Sequence, residues 1–328
     1  TKYELHLFQR EDIRAYDSAV LDILLMDRTT NKNIILATND YEQLGDFYRA
    51  EYEICFSLIK GTNTHVIQPR ISKSRKYQNH RIKSKAEVFT PSWICNAQNN
   101  LIDTQWFGRE NVFNIAFGKS WIVNSKKIEF PNIKSKKWTD YVDARRLEIT
   151  CGEAPYLVSR YDTVTAKPIK VERRIGLLDR KLRIVNENTD TEKDWFDWVV
   201  RAYQSTYGYE YHGDSLFLAR ENLLYTFIDN LEYKFNRKPT IDELKEVATI
   251  ISWNLWQMDG FTFTAPYSDV RAMKEYEQMI IFQDESKSKI VNRPKFCLIR
   301  DWQAYRWKKK STIEYRSLLQ DRNEVYIC

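Results

Sequence analysis

The chain has 328 residues, 43% of them hydrophobic and 29% charged, with a formal net charge of +6. That length suffices for one large core or two modest ones, and the composition excludes a disordered or fibrous chain. No apolar run approaches the ~20 residues that a membrane-spanning helix needs.

The first residues are charged at once (Lys2, Glu4, Arg10, Glu11), without the apolar stretch of a secretory leader. Five cysteines (Cys55, Cys95, Cys151, Cys297 and Cys328) show no CxxC pairing. They read as reduced, mostly buried thiols of a cytoplasmic protein, not as a disulfide frame or zinc site. The four histidines are scattered, so no metal centre is expected.

In chain order, Ser18 to Met26 and Asn33 to Thr38 are apolar, β-prone runs separated by a polar turn and read as two strands. A helix over Tyr41 to Arg49 and a strand over Tyr52 to Ile59 follow. Between Glu53 and Glu87 there is no acid, and Arg70, Lys73, Arg75, Lys76, Arg81, Lys83 and Lys85 fall in that gap. Charge runs are usually solvated loops; the absence of compensating acids here favours contact with nucleic-acid phosphates. The 14% aromatic content, with ten Trp, is mostly core material, and it also suits a protein that unstacks bases.

Phe89-Thr90-Pro91 opens a helix that runs past Ile102, with Thr90 as N-cap and Pro91 at the first helical position. Arg146 to Glu148 is a strand ending in an acid, followed by a tight turn at Cys151-Gly152 and a helix start near Glu153-Ala154. Such a turn aims backbone N–H groups at a small ligand, although ordinary strand-to-helix turns also use glycine. Arg174 to Asp179 reads as a second short strand closing on an acid, the position that takes ribose hydroxyls in a βαβ unit. The separation of Gly152 and Asp179 exceeds the ~20 residues of that fingerprint, and the loop around Pro168 absorbs the excess. Tyr209 to Asp214 reads as a third strand ending at Gly213-Asp214.

Thr240 with Glu243 is a capping box that opens a helix with apolar Leu244, Val247, Ile251, Leu255 and Met258, closed by Gly260. Pro294 to Ile299 is a short buried strand with Asp301-Trp302 at its exit, and Thr312 to Leu318 is a final strand.

The succession Phe89-Thr90-Pro91, Glu148 with Cys151-Gly152-Glu153, Asp179 and Asp214 resembles the DNA methyltransferases that act on adenine N6 or cytosine N4. More narrowly, it is similar to restriction–modification methylase subunits, over roughly residues 86–217. The resemblance implies an α/β fold, a Rossmann-like class I methyltransferase sheet over residues 86–328. Residues 1–85 would be a β-containing extension that carries the basic DNA-binding segment. It implies S-adenosylmethionine as cofactor, contacted by Phe89, Thr90 and Pro91, with Glu148, Cys151, Gly152 and Glu153 at its methionine part. Asp179 would take the ribose and Asp214 the adenine.

Ala154 stands where the family usually has a second glycine. The family's Pro-Pro catalytic motif is absent. Asp301 and Trp302, an acid and an aromatic after a strand, are the substitute, with Thr264-Ala265-Pro266-Tyr267 similar in letters only. Beyond Asp301 the chain is short, so the sheet is shortened, completed by N-terminal strands, or completed by a second subunit or a second copy. The alternative to an enzyme is a methyltransferase-like DNA-binding or regulatory subunit.

Overall fold

The structure is a computed structural model that describes residues 18–72, 90–134, 136–268, 294–307, 309 and 311–320. It is a mixed α/β protein whose central feature is a three-stranded parallel sheet.

The described residues begin with helix α1 (Ser18–Leu25), where a strand was expected. Val20, Leu21, Leu24 and Leu25 recur at helical spacing and are buried, so an amphipathic helix seals them on one side. The hairpin β1 (Met26–Asp27) and β2 (Lys32–Asn33) follows. Asp27 fixes its turn by accepting hydrogen bonds from the Thr29 and Thr30 N–H groups, both at 3.1 Å. The helix expected over Tyr41 to Arg49 is two single 3-10 turns, Glu42–Leu44 and Asp46–Tyr48, broken at Gly45 with φ 129°. The expected strand over Tyr52 to Ile59 contributes one bridge, Ile35 to Glu53, before helix α2 (Phe56–Ile59).

Helix α3 (Ser92–Phe107) has Pro91 as its N-cap and ends on left-handed Gly108. The hairpin β3 (Asn114–Phe117) and β4 (Ser120–Val123) and helix α4 (Trp138–Asp143) lead to β5 (Arg146–Glu148). Helices α5 (Leu177–Asn188) and α6 (Glu192–Gln204) connect β5 to β6 (Thr206–Glu210). Helices α7 (Gly213–Phe235) and α8 (Ile241–Asn254) connect β6 to β7 (Leu255–Gln257). The strand order is β5-β6-β7, all parallel, with Glu148 opposite Gly208 and Glu210 opposite Gln257. Beyond β7, the antiparallel pair β8 (Leu298–Arg300) and β9 (Thr312–Glu314) packs through Ile299 and Tyr315 on Tyr209 and Trp256. Short helices α9 (Trp302–Arg306) and α10 (Ser317–Gln320) accompany this pair.

Further expectations about elements change here: the third strand is Thr206–Glu210 and ends before Gly213 and Asp214, which open α7, and the final strand stops at Glu314. Arg174 to Asp179 is not a strand: Gly176 caps α5, and Asp179 lies in that helix's first turn. Leu255 and Met258 do not extend α8, because the chain leaves the helix at Asn254 to supply the third strand. The expected boundary at residues 85 and 86 falls outside the described residues. Side chains from both sides of it (Val20, Leu24, Ile34 and Ile54 with Leu216, Leu244 and Val247) belong to one hydrophobic core. Arg220, fully buried, ties the two together by donating to the carbonyls of Leu24, Met26 and Leu255. Among the described residues no helix is long and apolar enough to cross a membrane.

Candidate functional site

The carboxyl ends of parallel strands, with the loops that leave them, form the ligand-facing edge of an open α/β sheet. Here that edge holds Glu148 at the end of β5 and Glu210 at the end of β6. The loop after Glu148 turns tightly through three left-handed residues, Thr150 (φ 46°), Gly152 (φ 54°) and Ala154 (φ 62°). Two of the three carry a Cβ, which that backbone region penalises. The loop is held at its centre: Cys151 N–H donates to the Tyr209 carbonyl at 2.9 Å, and Ala154 N–H to the Cys151 carbonyl at 2.7 Å. No helix follows; turns lead from Gly152 to Val158.

Both acids are anchored by main-chain donors. Glu148 accepts from the Tyr156 and Leu157 N–H groups at 3.4 and 3.2 Å. Glu210 accepts from Gly152 N–H at 2.9 Å through one oxygen, and from Tyr211 and His212 N–H at 2.9 and 3.1 Å through the other. Neither acid has a Lys or Arg partner among the described residues. Burial pushes the Glu148 carboxyl well above the ordinary range, against the two N–H donors, and the neighbouring Glu210 adds to the rise. The buried Cys151 thiol is pushed up for the same reasons, burial first and then Glu148 and Glu210. It is therefore a packed thiol and not a nucleophile.

The start of α3 meets this loop. Tyr156 contacts Thr90 and Cys95 through its phenol, and Asn99 donates to the Tyr156 carbonyl at 3.0 Å. Thr90 contributes its carbonyl, which accepts from the Thr163 hydroxyl at 2.9 Å, while Ser92 N–H donates to Asp162 at 3.1 Å. Thus Thr90 stands beside Tyr156, whose N–H donates to Glu148. Glu153 turns inward instead: it is buried and accepts from the Tyr161 hydroxyl at 2.6 Å.

The other expected residues make hydrogen bonds of their own within the fold. Asp179 is buried and accepts from Gly176 N–H, Ser159 N–H and the Ser159 hydroxyl at 3.0, 2.8 and 2.9 Å. It closes a helix start and does not end a strand. Asp214, in the first turn of α7, is buried and accepts from the Tyr41 hydroxyl at 2.7 Å, clasping the N-terminal segment. Asp301 caps α9 through the Gln303 and Ala304 N–H groups and stands 3.7 Å from Arg145, just before β5. Trp302 is buried, its indole N–H donating to Asn254 at 2.7 Å, just before β7. Both therefore stand at the amino-terminal edge of the sheet, opposite Glu148 and Glu210. Phe89, Lys73, Arg75, Lys76, Arg81, Lys83 and Lys85 lie outside the described residues, and Arg70 begins a 3-10 turn, Arg70–Ser72.

Sequence reasoning missed Glu210. Its signal was present, since Thr206-Tyr207-Gly208-Tyr209 is a β-prone run that closes on this acid. It also ranked Thr264-Ala265-Pro266-Tyr267 behind Asp301. The structure sets that segment after β7, where the half-exposed Tyr267 hydrogen-bonds the phenol of Tyr211, the neighbour of Glu210. Burial, then Tyr267 and Asp259, push the Tyr211 phenol up to about 12. No group of His, Cys, Asp and Glu among the described residues is arranged to hold a metal ion. In comparisons with known proteins, no family model, curated protein or solved structure matches the chain.

Proposed function

We propose that this protein binds S-adenosylmethionine at the carboxyl edge of its parallel sheet and acts as a DNA methyltransferase on an exocyclic amino group. On this reading, β5, β6 and β7 are the nucleotide-binding half of a Rossmann-like class I sheet. The observation that carries it is the pair Glu148 and Glu210 on adjacent parallel strands, balanced by backbone N–H groups and by no Lys or Arg among the described residues. Such a pair suits a ligand with positive charge and ribose hydroxyls, and S-adenosylmethionine carries an ammonium, a sulfonium and a ribose.

The donor set fits in a second way. Gly152 has a left-handed backbone and open space where a Cβ would stand, so its main chain is free to approach a ligand closely. Glu148 would take the ammonium and Glu210 the ribose hydroxyls, the role first expected of Asp179. Asp259, two residues beyond β7, would meet the adenine with the carboxyl oxygen that Phe261 and Thr262 N–H leave open. Tyr267 would stack on an extruded base. When bound, the cofactor supplies the electrophilic methyl group; the side chains hold, orient and exclude water. The basic segment from Arg70 to Lys85 would carry the DNA phosphates.

Titration calorimetry with S-adenosylmethionine tests the cofactor site. Wild type binds, and Glu210→Gln weakens binding by at least about tenfold, ~1.4 kcal/mol; silence of the wild type, or indifference to Glu210→Gln, removes the reading. The structural employment of Asp301 and Trp302 favours one second reading, a cofactor-binding recognition subunit without chemistry. Transfer of a radiolabelled methyl group to DNA separates the two.

A further inference from the structure

At the opposite edge of the sheet lies a surface that the cofactor reading does not use. Strand β5 is the outer strand of the parallel sheet. Arg146 and Glu148 turn their main-chain groups toward β6, starting with Arg146 N–H on the Ser205 carbonyl at 2.9 Å. In a parallel ladder alternate residues face the neighbouring strand, so the N–H and C=O of Leu147 point outward. Leu147 is 44% exposed, and Ile149 beside it 62%. Among the described residues no strand pairs with this edge, and an edge of this kind is a template for another extended chain.

The edge opens onto a slot of about 180 Å³ between the sheet and the β8–β9 pair. Its walls are Leu147, Tyr207, Ile299, Ile313, Tyr315 and Leu318. Leu147 and Tyr207 are register partners on one face of the sheet. A strand added beside Leu147 would therefore turn alternate side chains toward that slot.

Three arginines, Arg145, Arg146 and Arg300, border the slot. Arg145 is 59% exposed on its side chain and faces Asp301 at 3.7 Å, whose oxygen already accepts from Gln303 and Ala304 N–H. Arg300 lies over the Trp253 ring at 3.9 Å, and among the described residues neither it nor Arg146 forms an ion pair.

We propose that the β5 edge docks an extended, acidic segment of a partner protein. Its main chain pairs with Leu147, one apolar side chain enters the slot, and its carboxylates meet the three arginines. The combination of an open main-chain edge, an apolar pocket at strand spacing and a net positive border, three arginines against the one acid Asp301, is the chemistry of recognition by strand addition. A nucleic acid would use the arginines and leave the edge and the slot without a role.

Fluorescence anisotropy on the full chain, with a short labelled peptide of alternating glutamate and leucine, tests this. The expected result is binding at least about tenfold tighter than for glutamate–serine or lysine–leucine peptides of the same length. Leu318→Trp, which fills the slot, and Arg145→Glu should each weaken it by a similar factor, with unchanged melting temperatures. N-methylation of the peptide's central amide should weaken it as well, because the main-chain pairing loses its N–H. The proposal is overturned if the glutamate–serine peptide binds equally, if Leu318→Trp changes nothing, or if only a single-stranded oligonucleotide binds in an Arg145-dependent way.

Discussion

Glu148 sits in surroundings far from those of a free carboxyl. Its carboxyl is raised by burial and by Glu210, so its ionisation costs the fold stability, a cost that a bound ammonium would offset. A carboxyl raised in the folded state lends stability below its unfolded value, about 4.3, and loses that contribution as pH rises through the folded value. Glu148→Gln removes this dependence. The stability of the variant relative to wild type should therefore improve as pH rises above that unfolded value, by ~1.4 kcal/mol for each unit of the rise, and level off once the folded value is passed. Parallel melts of the two proteins across that rise in pH check it; a constant difference would mean that Glu148 is ionised at no cost. The same variant should bind S-adenosylmethionine at least about tenfold more weakly, since an amide does not pair with an ammonium as a carboxylate does.

Among the elements, local signals were legible and long-range ones were not. The capping box at Thr240 and Glu243 forms as read, with Thr240 accepting from Glu243 N–H and Glu243 from Thr240 N–H. Its hydrogen bonds close within four residues, so the sequence contains everything needed. The end of the same helix was misread because Leu255 and Met258 keep the helical period. Asn254 breaks it by donating to the carbonyls of Tyr203 and Thr206, at 2.9 and 3.0 Å, partners some 50 positions away. Asp301 is a comparable case: an acid after a strand is equally a helix cap, and here it is the cap. Asp301→Ala should cost about 1 kcal/mol in denaturant titrations and leave S-adenosylmethionine affinity unchanged; weakened cofactor binding would return Asp301 to the site.

For the molecule as a whole, the N-terminal segment is structural. Arg220 reaches it with no ion pair among the described residues, and burial lowers its guanidinium to about 10. The Gln257 amide adds a second tie, accepting from Ile35 N–H and donating to the Ile35 carbonyl at 2.9 and 2.8 Å. Gly213 allows the crossing, because a Cβ there would collide with the Ile35 carbonyl. Arg220→Met should cost at least about 3 kcal/mol by leaving several buried carbonyls without donors. Unfolding should remain a single transition by fluorescence and circular dichroism; two separated transitions would show that the N-terminal segment folds apart.

The sequence alone was enough to determine the mixed α/β class, the capped helix start at Thr240, the tight turn at Gly152 and the strands Arg146 to Glu148 and around Ile299. Each depends on neighbours a few residues apart: a cap, a left-handed glycine, a short apolar run. Which acids share an edge was decided only in three dimensions. Strand pairing joins residues about 60 positions apart, as with Glu148 and Gly208, and one ladder set Glu210 beside the Glu148 loop, while Asp179 and Asp301 took up helix capping. An acid at the end of an apolar run reads the same in either setting, and only the hydrogen-bond partners supplied by distant chain tell them apart.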